Sequence, residues 1–76
     1  MPLSLPQLAV LFSVHHQPGA QGAQVARDLG ITPQTASQLL VRVEKGGYVT
    51  RRASAANARA DCWSLTPRGV AILAGA

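Results

Sequence analysis

The apolar residues between Thr32 and Gly47 recur at the spacing of an amphipathic helix, and the chain is organised around this stretch. They occur at intervals of three and four, so that they share one face: Ala36, Leu39, Leu40 and Val43. Thr32 is a favourable cap, and Pro33 suits the first helical position. Lys45 followed by two glycines is typical of a helix end. The pattern therefore predicts a helix over 32–45.

The opposite face of this predicted helix carries hydrogen-bonding side chains instead of alternating acids and lysines. These side chains are Gln34, Thr35, Ser37, Gln38 and Arg42, and the first acid is Glu44. A face that serves only solubility commonly pairs Glu with Lys at i, i+4. Short donors and acceptors together with an Arg are the groups that read base edges and phosphates. The pattern predicts a helix that reads nucleic acid, whereas a solvated surface is the alternative for each polar residue taken alone.

A shorter helix is predicted just before this one. Over 22–29, Val25, Ala26 and Leu29 share an inward face, and Gly30 is expected to end the helix. The two helices are joined by a short turn that contains glycine, and the second of them has a polar face. This arrangement is the helix-turn-helix pattern, in which the second helix enters the major groove of DNA.

The first helix of the chain is predicted to begin after Ser4, which forms a capping-box pattern with Gln7. It is expected to end near His15 and His16, ahead of a turn at residues 18–19. Its inward residues are predicted at helical spacing: Leu5, Leu8, Leu11 and Phe12. Adjacent histidines on a helix point in different directions, so we interpret this pair as favourable charges at a helix end and not as metal ligands.

After residue 47 the composition changes to one that favours β-strands. Tyr48–Thr50 and Cys62–Leu65 are β-prone, and Trp63 and Leu65 fall on one side by period two. Arginines and small residues lie between them, which predicts a β-hairpin, here called the wing, with a long tip. A narrow loop that carries an outward Arg suits the minor groove, and an ordinary solvated loop is the alternative.

A last helix is predicted to begin at Thr66, with Pro67 in its first turn and Val70 and Leu73 on one face. Together the elements predict an α+β winged helix formed by 1–76 as a single domain. It has a three-helix core with a helix-turn-helix, a two-stranded β wing and the start of a C-terminal helix. A chain of this length buries only about 60% of its unfolded surface, which leaves little room for a buried active site.

The charge balance favours a polyanionic partner. Seven Lys and Arg residues against three acids give a net charge of +4, and six of the seven are Arg. Arg can bind phosphate and guanine through two hydrogen bonds at once, and a basic small domain is typical of nucleic-acid binding. The three acids, Asp28, Glu44 and Asp61, are scattered and have no His nearby in the sequence. We therefore predict no enzyme, no cofactor and no metal site.

The single cysteine cannot form an internal disulfide, which fits a reducing compartment. The chain has neither a run of signal-peptide type nor an apolar run long enough for a transmembrane helix. We expect no membrane partner and a cytoplasmic location.

Four segments resemble the MarR family of bacterial winged-helix regulators. They are Leu3–Ser4 with Gln7 and Leu11, then Val25–Ile31, then Val43–Arg51, and last Asn57–Arg59 followed by Leu65–Gly69. The spacing needs no gaps, and the last segment is the most specific, because it is similar to the family's Asp-x-Arg and Leu-Thr-x-x-Gly patterns. The resemblance implies sequence-specific binding of double-stranded DNA in transcription regulation. The 32–45 helix would lie in the major groove and the wing, 51–60, at the minor groove.

The resemblance and the polar face together assign roles to the candidate residues. Gln34, Thr35 and Gln38 would reach base edges. Ser37, Arg42 and Arg51 would contact phosphates, aided by the positive end of the helix at Thr32 and Pro33. Arg59 would enter the minor groove, and Arg52 and Asn57 complete the predicted DNA-binding set.

The chain also departs from the family pattern. Asn57 stands where the family has Asp, which would reduce an ion pair with Arg59 to a neutral hydrogen bond. Ala58 replaces a common second Arg, and Gln21 replaces a Thr. Family members are much longer and dimerise through additional helices. We therefore expect a fragment, an excised lobe or a degenerate member, monomeric or pairing only through its last helix, with an incomplete effector site.

Two other functions are compatible with the predicted fold. A winged-helix module that binds protein would expose large apolar residues on the recognition face. A truncated remnant would fold and have no function.

Overall fold

The structure, a computed structural model, describes residues 3–53 and 61–75. Its elements follow in the order α1 Leu5–His16, β1 Ala20–Gln21, α2 Gly22–Leu29, α3 Pro33–Lys45, β2 Val49–Ala53, β3 Asp61–Leu65 and α4 Pro67–Ala74. The predicted α+β winged helix and its helix bounds are confirmed. The predicted wing tip falls in 54–60, so Asn57 and Arg59 lie outside the described residues.

The predicted helix starts are set by local hydrogen bonds. Ser4, Thr32 and Thr66 each accept a bond from the backbone N–H three residues on, at 3.1–3.3 Å. Each side chain satisfies an N–H group that has no partner within the helix. At the other end of α2, Gly30 adopts a φ of 67°, the left-handed conformation that glycine takes without steric cost.

The core lies where α1, α2 and α3 meet the sheet. Its buried members are Val10, Leu11, Val14, Ala20, Val25, Leu40, Val43, Tyr48, Val49 and Trp63. The predicted inward faces of α2 and α3 are confirmed, since Val25, Ala26 and Ala36 are buried and Leu29 packs against the core. Burial of these faces fixes which side of α3 remains in water.

The predicted face of α1 is wrong in part. Leu8 and Leu11 are buried as predicted, but Leu5 is 81% and Phe12 44% exposed. Val10 and Val14 take their places in the core. Apolar residues occur around most of α1, so the spacing fits more than one face, and packing against α2 and α3 decides between them.

The predicted face of α4 is also wrong in part. Val70 is exposed, whereas Ile72 and Leu73 pack against the core. The helix has only two turns, so its spacing leaves the buried side poorly defined.

The sheet has three strands, one more than predicted, in the order β1–β3–β2. β2 and β3 form the predicted antiparallel hairpin, with Arg51 opposite Trp63. β1 pairs with the other edge of β3, where Ala20 lies opposite Trp63. A strand of two residues is too short to show a period of two, which is why the sequence did not reveal it. None of the helices in 3–53 and 61–75 has the length and apolar character needed to span a membrane.

Candidate nucleic-acid interface

The polar face of α3 lies on the surface of the molecule. Ala36, Leu40 and Val43 on its other face are fully buried, which fixes the rotation of the helix. The α3 polar face consists of seven exposed residues: Thr32, Pro33, Gln34, Thr35, Ser37, Gln38 and Arg42. All seven are residues that the sequence predicted as DNA-binding. Val41 beside them is only half-buried.

The first turn of α3 presents a positively polarised end. Thr32 Oγ1 accepts from the backbone N–H of Thr35 at 3.1 Å and donates to its hydroxyl at 2.9 Å. The Thr35 hydroxyl is left with a hydrogen to donate outward. No acidic residue occurs in this turn, so the helix dipole is not neutralised there. Such an end attracts anions.

Arg51 bonds to two carboxylates, and its side chain is 42% exposed. Its Nη2 donates to Glu44 Oε1 at 3.1 Å, and its Nη1 to Asp61 Oδ2 at 3.4 Å. Its guanidinium carbon also lies 5.2 Å from the centroid of the Trp63 ring. We call Arg51, Glu44, Asp61 and Trp63 the Arg51 cluster.

The Arg51 cluster corrects the prediction that the three acids are scattered. Two of them, Glu44 and Asp61, meet on one guanidinium, although they lie on different elements. A signal for the position of Arg51 was present in the sequence. Arg51 follows Val49 by two residues, so both side chains lie on the core side of β2. Arg52 alternates to the opposite side and is exposed.

The base of α4 is joined to the turn after α3. Thr66 Oγ1 donates to the carbonyl oxygen of Gly47 at 2.5 Å. Arg68 places its guanidinium carbon 4.9 Å from the centroid of the Tyr48 ring. These contacts connect the start of α4 to the segment that lies between α3 and the wing.

The two histidines lie in the last turn of α1. The rings of His15 and His16 lie edge to face with their centroids 5.6 Å apart, and His16 Nδ1 lies 2.8 Å from the carbonyl oxygen of Phe12. In the part of the chain that the structure describes, no three His, Cys, Asp or Glu side chains come close enough to bind a metal. Cys62 is a half-buried free thiol on β3.

Comparison with known proteins connects this geometry to transcription regulation. Residues 1–60 match the sequence profile of the MarR family. The HTH-type transcriptional repressor Rv2887 of Mycobacterium tuberculosis is 36% identical over 70 residues, which are 92% of this chain and 50% of that protein. The repressor Mb2911 of Mycobacterium bovis matches equally well. The chain thus spans about half the length of these relatives.

Solved structures share the fold. The MarR family transcription regulator SP03579 is 33% identical and superimposes with a TM-score of 0.92, over 96% of this chain and 48% of that one. FabT of Streptococcus pneumoniae, solved in complex with DNA, is 25% identical with a TM-score of 0.90, over 93% of this chain and 50% of that one. A MepR variant of S. aureus, bound to an oligodeoxyribonucleotide, is 26% identical with a TM-score of 0.85, over 92% of this chain and 52% of that one.

Proposed function

The chain belongs to the MarR family, and on this premise we propose that it binds double-stranded DNA sequence-specifically as part of a bacterial transcription regulator. The helix α3 would lie in the major groove, and the wing over 51–60 would lie at the minor groove. Residues 1–76 would act as one DNA-binding domain. Because the curated relatives are transcriptional repressors, we propose that this chain also serves repression.

The α3 polar face carries this proposal. Its seven residues are exposed, and fully buried residues on the opposite face of α3 hold the helix in this rotation. Gln34 and Gln38 offer the paired donor and acceptor that fit an adenine edge, and Thr35 can bond to several bases. Ser37 and Arg42 are exposed on the same helix and would contact phosphates, and Arg52 is exposed on β2.

The rival proposal, a protein-binding module, finds less support. A protein-binding module would expose large apolar residues on α3. In the described part of the chain, however, the most exposed large apolar residues are on α1 and α4. They are Leu5, Phe12 and Val70. The relatives are regulators and not enzymes, and we propose that this chain has no catalytic activity and acts in the cytoplasm.

We also propose that the isolated chain is monomeric, or pairs only weakly through α4. The exposed Val70 on α4 and Phe12 on α1 are the side chains that such pairing would bury. We further propose that residues 1–76 do not bind a small-molecule effector by themselves. A molar mass near 7.9 kDa in solution light scattering is the expected result.

The test is a binding titration as a function of salt. A labelled duplex of about two helical turns, enriched by in-vitro selection on this protein, is compared with a random duplex of equal length. We expect tighter binding to the selected duplex, and a fall in log affinity with log salt of about 0.9 per phosphate contacted. Equal affinity for both duplexes, or affinity that does not change with salt, would contradict the proposal.

A further inference from the structure

We propose that Arg51 is a positioning residue, which holds the wing at a fixed angle to α3 through Glu44 and Asp61. This inference rests on the proposed DNA binding and goes beyond it. It is the alternative to the phosphate contact that the sequence predicts for Arg51.

The contacts of the Arg51 cluster connect three separate elements. Glu44 lies in the last turn of α3, Arg51 on β2, and Asp61 is the first residue of β3. One guanidinium therefore bonds the end of the recognition helix to both arms of the wing, just where the wing leaves the core. The planar fork of Arg can bind two carboxylates in fixed directions, which the point charge of Lys cannot.

The guanidinium of Arg51 lies over the ring of Trp63. Trp63 is only 5% exposed and lies directly opposite Arg51 in the β2–β3 ladder. Side chains of directly opposed residues lie on the same face of a sheet, and the Arg51 guanidinium lies over this buried ring. The two ion pairs are partly exposed, with 42% of the Arg51 side chain accessible to solvent, so in the proposed role the buried ring adds the constraint on the angle between the wing and α3.

The placement of acids supports a positioning role. The whole chain contains three acidic residues, and two of them are on this one guanidinium. Glu44 and Asp61 together outweigh the charge of Arg51, so the cluster carries a net negative charge beside a surface proposed to meet phosphates. A surface optimised for attraction alone would omit both acids. Their presence is explained if they fix the direction of the wing.

Removal of the two acids distinguishes the possible roles of Arg51, because these roles predict opposite changes in DNA affinity. In the double variant Glu44→Gln and Asp61→Asn, both side chains keep their shape and the net charge rises by two. If Arg51 contacts phosphate, or if only charge matters, the variant binds DNA more tightly. If Arg51 positions the wing, the variant binds the selected duplex more weakly, by about fivefold, despite its more favourable charge.

The control is Asp28→Asn, which removes the third acid from the exposed surface of α2, outside the cluster. We expect it to bind the selected duplex as tightly as the unchanged protein or slightly more tightly. Thermal melting of each variant gives the folded fraction at the binding temperature, and affinities are compared per folded molecule. The single variants Glu44→Gln and Asp61→Asn show whether one of the two ion pairs of Arg51 is enough to keep the affinity for the selected duplex.

Footprinting supplies a readout that a loss of stability would not change. In the double variant we expect hydroxyl-radical protection of the minor groove to weaken, while protection of major-groove guanines from methylation persists. Tighter binding by the double variant, or an unchanged footprint, would overturn the positioning role and leave the proposed function intact. If the unchanged protein itself shows no preference for the selected duplex, the proposed function fails instead.

Discussion

Gly69 packs so closely against Tyr48 that a Cβ atom on Gly69 would lie 2.2 Å from the Tyr48 carbonyl oxygen. That oxygen cannot withdraw freely, because it accepts a hydrogen bond of 3.0 Å from the backbone N–H of Thr66. The start of α4 therefore sits directly on the backbone that connects α3 to the wing. Only a residue without a side chain fits at this contact.

Gly69→Ala should destabilise the fold by about 1–3 kcal/mol, because the clash with backbone outweighs the better helix propensity of Ala. In urea denaturation this loss of stability should lower the midpoint concentration, while the dependence of the free energy of unfolding on urea concentration stays the same. Gly22→Ala is the matched control, since its Cβ would lie 3.7 Å from Leu40 Cδ1 in ordinary contact. The control should change stability by no more than about 0.5 kcal/mol. Equal midpoints for the two variants would contradict the packing argument.

The helices could be predicted because their signals are local. Ser4, Thr32 and Thr66 bond to atoms three residues away, so the residues that start each helix stand together in the sequence. The close contact of Gly69 with Tyr48 joins residues 21 positions apart, and no local pattern reports it. The resemblance of Leu65–Gly69 to a family pattern pointed to this glycine without giving its physical reason.

The contacts of Arg51 were not predicted from the sequence, for the same kind of reason. Its role depends on Glu44 and Asp61, which belong to different elements and meet only when the wing folds against α3. The family resemblance, together with the polar face of the predicted helix, marked Arg51 as a phosphate contact, and that role stays a prediction. The α3 polar face was predictable because a single helical period separates its buried residues from its exposed ones.

Replacement of the α3 cap, Thr32→Ala, should lower the free energy of unfolding by about 0.5–2 kcal/mol. The Thr32 hydroxyl is the acceptor for the Thr35 N–H at 3.1 Å, and Ala leaves that donor without this partner. Thr32→Ser keeps the oxygen and should retain most of the stability. Thermal and urea unfolding of the two variants test this, and a Ser variant as unstable as the Ala variant would argue against the cap.

Arg59→Ala tests the wing tip, where the role of Arg59 is a prediction from sequence. A wing Arg senses groove shape and charge more than base identity, so both selected and random duplexes should bind severalfold more weakly. The salt slope should fall by about 0.9. Arg27→Ala, on the exposed surface of α2, loses the same charge and should have a smaller effect. If Arg59→Ala melts normally and binds both duplexes normally, the wing assignment is wrong.

Gln38→Ala should reduce affinity for the selected duplex while leaving the fold and non-specific binding intact. The side chain is exposed on α3, so its removal leaves no cavity and should change the free energy of unfolding by less than about 0.5 kcal/mol. A glutamine that bonds an adenine edge with both its groups contributes roughly 1–3 kcal/mol of discrimination, or about 5- to 150-fold in affinity. Because Gln38 carries no charge, the salt slope should stay the same.

Gln34→Ala, one turn earlier on the same face, should lose affinity in the same way but at a different base pair. Gln17→Ala is the control, because Gln17 ends α1 and lies outside the α3 polar face. Titration of each variant against single-base changes in the selected duplex locates the contact: a base pair read by Gln38 loses its preference only in the Gln38 variant. If both variants keep the full preference at every position, α3 does not read sequence through these glutamines, and specificity must come from DNA shape.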